Sequence, residues 1–124
     1  MKELNKYILE KFKISKDINI NQGYILDEIS DFINDYMQGT CKLKTTDFIF
    51  MFQNDKGTFI RKNERDDVSE LARMYLYSKK ENFKKDIDKI AKDIESGLNK
   101  IKKVKRTEVF ATSIYFYFED YEES

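Results

Sequence analysis

The chain has 124 residues, with 23 basic and 23 acidic side chains, 8 Tyr, 10 Phe, no His, no Pro and one Cys. Without histidine it lacks the commonest general base and metal ligand, and one cysteine can neither close an intramolecular disulfide nor build a thiolate zinc site. The length suits one domain, 1–124, whose core needs no staple, and the absence of proline leaves helices uninterrupted.

Leu4, Ile8 and Phe12 recur every four positions, with Tyr7 and Leu9 widening the stripe, which predicts a short amphipathic helix. A second helix is expected after Asn19 or Asn21 as cap, carried by Ile25, Ile29, Phe32, Ile33 and Tyr36 and ended at Gly39. The period then drops to two. Phe48, Phe50 and Phe52 alternate with Ile49 and Met51 in a strand, Asn54 to Gly57 form a turn, and Thr58 to Arg61 return as a hairpin.

Asp67 with Glu70 reads as a capping box, and Val68, Leu71, Ala72, Tyr75 and Leu76 then predict a third helix. A fourth follows from Phe83, Ile87, Ile90, Ala91, Ile94, Leu98 and Ile101, which advance in steps of three and four. Val109 to Phe118 returns to alternation as one long strand, with Phe110, Ile114, Phe116 and Phe118 on one side and Tyr115 and Tyr117 on the other. The expected architecture is α+β: a small three-stranded antiparallel sheet with about four helices, in the order α-α-β-β-α-α-β, and an acidic tail at 119–124.

Charge is segregated although its total cancels. Asp27, Asp31 and Asp35 line one helical face with Glu28 beside them, whereas Lys100, Lys102, Lys103, Lys105 and Arg106 follow one another without an intervening acid. Each run can be a solvated face or a favourable placement of charge near a helix end. The acidic run can also dock a protein with a basic surface, and the basic run can capture nucleic acid or a phosphorylated small ligand. Tyr115, Tyr117 and Tyr121 are either half-buried packing or interface residues, since tyrosine gives large contact area with few rotors to freeze. Homo-oligomerisation through that face is a further expectation.

The four glycines are scattered, so no phosphate-cradling loop is encoded. Glu64, Asp66 and Asp67 cluster, yet Asp67 is already explained as a cap. No metal, cofactor or catalytic residue is expected, and no apolar run is long enough to make the membrane a partner. The cytoplasm is the expected compartment. The function that remains is a small non-enzymatic protein-binding module, an inhibitor or neutraliser of the immunity, antitoxin or phage anti-defence type, acting by occupying a surface through Asp27, Glu28, Asp31, Asp35, Tyr115, Tyr117 and Tyr121. The alternative is a nucleic-acid or phosphorylated-ligand binder using the 100–106 segment.

Overall fold

The structure, a computed structural model, describes residues 22–60 and 71–118. The expected helix around Leu4 to Phe12, the caps Asn19 and Asn21, the Glu64, Asp66 and Asp67 cluster, the Asp67–Glu70 box, Tyr121 and the acidic tail lie outside these residues. Within them the chain runs α1 (Gln22–Gly39), a 3-10 turn (Thr45–Asp47), β1 (Ile49–Gln53), β2 (Phe59–Ile60), β3 (Arg73–Tyr77), α2 (Glu81–Lys85), α3 (Ile87–Leu98), β4 (Val104–Phe110) and β5 (Ser113–Phe118).

The class is α+β, but the sheet has five strands in the order β2-β1-β3-β5-β4, every neighbouring pair antiparallel, and the described residues hold three α-helices. Two misread segments account for the difference from a three-stranded sheet with four helices. Residues Arg73–Tyr77 form a central strand rather than part of a third helix. Leu71, Tyr75 and Leu76 do fall on helical spacing, yet Met74 and Leu76 are fully buried while Arg73, Tyr75 and Tyr77 are half-exposed, which is a period of two. The backbone of this segment finds partners in β1 on one side and β5 on the other, and that pairing overrides local spacing.

The second misread segment is the C-terminal strand, which is a hairpin. Val104–Phe110 and Ser113–Phe118 are joined by the two-residue turn Ala111–Thr112, with Phe110 paired to Ser113. Ala111 takes φ 58°, whereas Thr112 is not among the residues of positive φ, the pattern of a turn that prefers glycine at its first central position. Alanine there hid the turn. Phe110 consequently leaves the side that carries Ile114 and stands 72% exposed.

The first hairpin forms as expected, with Gly57 at φ 84° closing the turn and Asn54 Oδ1 accepting from the Lys56 and Thr58 amides. The stripe that predicts a continuous helix from Phe83 to Ile101 breaks at Asp86 (φ −114°, ψ 21°), and α3 ends at Leu98. Leu26, Ile29, Ile33 and Met37 of α1, Phe83, and Ile90, Ile94 and Leu98 of α3 are buried in one cluster with Phe52, Met74, Leu76, Ile114, Phe116 and Phe118 of the sheet. All described helices thus cover the same side, and the other side of the sheet carries the alternate residues.

Candidate functional site

Because strand side chains alternate, antiparallel register sets the outward residues of neighbouring strands side by side in rows. One row is Met51, Tyr75, Tyr115 and Glu108, the next Gln53, Arg73, Tyr117 and Arg106, and a third Ile49, Tyr77, Ser113 and Phe110. The tyrosines join into a chain across rows. Tyr77 and Tyr75 have ring centroids 6.4 Å apart with planes within 4°, Tyr75 and Tyr115 are 5.1 Å apart, and Tyr115 and Tyr117 are 6.4 Å apart at 17°.

Cations finish the chain. The Arg106 guanidinium lies 4.0 Å over the Tyr117 ring, and its Nε donates to Glu108 Oε2 at 2.9 Å, which favours the charged guanidinium further. Arg73 stands 5.9 Å from the same ring and donates through Nε to Gln53 Oε1 at 2.7 Å, while Gln53 Nε2 donates to the Gly57 carbonyl at 3.2 Å. A row of polar groups therefore runs from the first hairpin turn to the edge strand, and each member is held before any partner arrives. Phe59 at one end and Phe110 at the other are 58% and 72% exposed. Between Phe59 and Tyr117 the face dips into a shallow hollow floored by Met51, Tyr75 and Tyr115.

The remaining candidate residues lie elsewhere. Asp27, Glu28, Asp31 and Asp35 are exposed on α1, in the helix layer on the far side of the sheet. Desolvation, and next to it the Asp31 charge, push the Glu28 carboxyl above its usual range. The basic run does not form one surface. Lys100 follows α3, Lys102 Nζ lies 5.9 Å from the Phe118 ring, whose side chain belongs to the core side, and Arg106 lies on the tyrosine face.

No protein-family model, curated protein or solved structure matches this chain. Function has to be read from its own chemistry. Among the described residues no three His, Cys, Asp or Glu side chains gather as a metal site, and no helix is long and apolar enough to cross a membrane. Cys41 is buried, and burial, followed by the Asp86 charge, pushes its thiol up, away from the thiolate a nucleophile needs. What the face can do is stack, make cation–π contacts and bury apolar area. Sequence reasoning missed Arg73, Tyr75 and Tyr77 as members of it because their segment fits a helical stripe. The signal was present in the alternation Arg73-Met74-Tyr75-Leu76-Tyr77, which parallels Ser113 to Phe118.

Proposed function

We propose that this protein is a non-enzymatic binding module that occupies the surface of another protein with its tyrosine-bearing sheet face, and so blocks what that surface would otherwise do. The observation that carries the reading is the chain Tyr77–Tyr75–Tyr115–Tyr117 on a side of the sheet with no described helix over it, flanked by exposed Phe59 and Phe110. Tyr, Arg, Phe and Met are the residue types that interface centres favour, and they dominate this face. A nucleic-acid surface needs cations that follow phosphates, whereas here Glu108 is fixed against Arg106 and the third row ends in exposed apolar side chains, Ile49 on one strand and Phe110 on another.

Tyr115→Ala with Tyr117→Ala tests the reading. In affinity capture from lysate of the source cells, the wild-type chain should retain one stoichiometric protein, and the double variant should lose it by at least about tenfold, as hot-spot truncations do. Its melting temperature should fall only modestly, because both side chains are half-exposed. Retention of the same protein by the double variant would overturn the proposal, as would capture of RNA in its place.

A further inference from the structure

A different part of the molecule holds a cleft of its own. The C-terminal end of α1 and the α2–α3 corner enclose a cleft of about 420 Å³, within the range of small-ligand pockets. Lys42, Lys85 and Lys89 line it, against one lining carboxylate, Asp86. Lys89 is committed to Asp93 at 2.9 Å, but neither Lys42 nor Lys85 has an ion-pair partner among the described residues.

Lys42 is the unusual member. Its backbone holds φ 58°, in the left-handed region where glycine or asparagine is the unstrained choice, and yet a lysine stands there in the lining of the cleft. The left-handed residue ends α1, as the Leu43 amide on the Met37 carbonyl shows, and what is unusual is a lysine in that place. The C-terminal end of α1 disfavours an anion, and this is lessened because the Tyr36 and Met37 carbonyls already accept from the Thr40 and Leu43 amides. Asn82 donates one Nδ2 hydrogen to the Cys41 carbonyl at 3.1 Å and keeps a second donor for the cleft. Tyr36, fixed by its hydroxyl on Asp93, and Ile90 supply a flat apolar wall.

We propose that this cleft binds a small phosphomonoester, its dianionic phosphate taken by Lys42, Lys85 and the Asn82 amide and its ring laid against Tyr36. Two cations without carboxylate partners among the described residues match a dianion, and the wall matches a flat ring such as a base or a phenyl group. The site is independent of the tyrosine face and would stand if that face proved to do nothing.

Phenyl phosphate titrated into the isotopically labelled full chain at low salt is the test. Saturable amide shifts are expected at Lys42, Asn82 and Lys85, with benzenesulfonate, a monoanion of similar shape, binding more weakly. Lys42→Gln with Lys85→Gln should weaken phenyl phosphate by about tenfold or more at an unchanged melting temperature. Lys85→Gln alone, on the exposed side of a helix, should give part of that loss and serves if the double variant is unstable. Shifts that never saturate, that spread equally to Lys100 and Lys103, or that survive these substitutions would overturn the proposal.

Discussion

Tyr36, Asp93 and Lys89 show how one hydrogen-bonded group couples helix packing to pH. The Tyr36 hydroxyl donates to Asp93 Oδ2 at 2.5 Å across the α1–α3 contact, and Lys89 Nζ donates to the same oxygen at 2.9 Å. The Tyr36 donor, and after it Lys89, hold the Asp93 carboxyl below its usual range, so its stabilisation is present above the ordinary carboxylate pKa and is lost as pH falls through the lowered value. Burial, with the Asp93 hydrogen bond next, pushes the Tyr36 phenol upward, so its contribution is present below the ordinary phenol pKa of about 10 and fades as pH climbs from there toward the raised value. Tyr36→Phe should therefore cost about 1 kcal/mol near neutrality, discounted for partial exposure, and the gap to wild type should narrow in strong acid and in strong alkali. Urea unfolding across pH measures it. A gap that stays constant over the whole range would mean that the hydroxyl contributes independently of the Asp93 and Tyr36 charges, and no gap at all that Tyr36 acts through its ring alone.

Two contacts decide how the elements meet. At Gly97 a Cβ would sit 2.1 Å from Phe32 Cζ, so the crossing of α1 over α3 depends on a missing side chain. Alanine in a helix interior ordinarily gains about 1 kcal/mol over glycine, but forcing a methyl into a filled contact costs about 1 to 3 kcal/mol. Gly97→Ala should lower stability in the wild-type chain and raise it in a Phe32→Leu background, a reversal that thermal melts would detect. The β4–β5 turn calls for the opposite change. Ala111 at φ 58° occupies a glycine position, and Ala111→Gly should stabilise by about 0.5 to 1 kcal/mol, read as a higher urea midpoint with an unchanged slope.

The same turn explains what the sequence concealed. The first hairpin was readable because Asn54 and Gly57 are the residues its turn demands, whereas Ala111–Thr112 carries no such mark and fuses two strands into one pattern. In residues 71 to 77 the ambiguity is different: apolar side chains satisfy both a helical and an alternating spacing over so short a stretch, and only the presence of two strands to pair with decides between them. The tyrosine face was half visible for that reason, through Tyr115 and Tyr117 but without Arg73, Tyr75 and Tyr77. The acidic run was fully visible, and α1 does expose it.

Across the molecule these features separate onto two sides. Five strands at about 4.8 Å spacing and five residues at about 3.4 Å rise give a sheet face well under the roughly 800 Å² per partner of a standard interface. A partner seated there must gain its affinity from the Tyr and Arg contacts, with area a minor contributor. The carboxylates of α1 lie beyond the helix layer and cannot share that contact. Their influence on a basic partner is long-range attraction, which acts on encounter and is screened by salt. Asp27→Asn with Asp31→Asn and Asp35→Asn should accordingly slow association several-fold at low ionic strength, lose that effect at high salt, and change dissociation by less than about twofold. Surface plasmon resonance with the captured partner separates the two rates. A rise in dissociation rate as large as that from the Tyr115 and Tyr117 substitutions would put α1 in the contact and require a partner that wraps around the edge of the sheet.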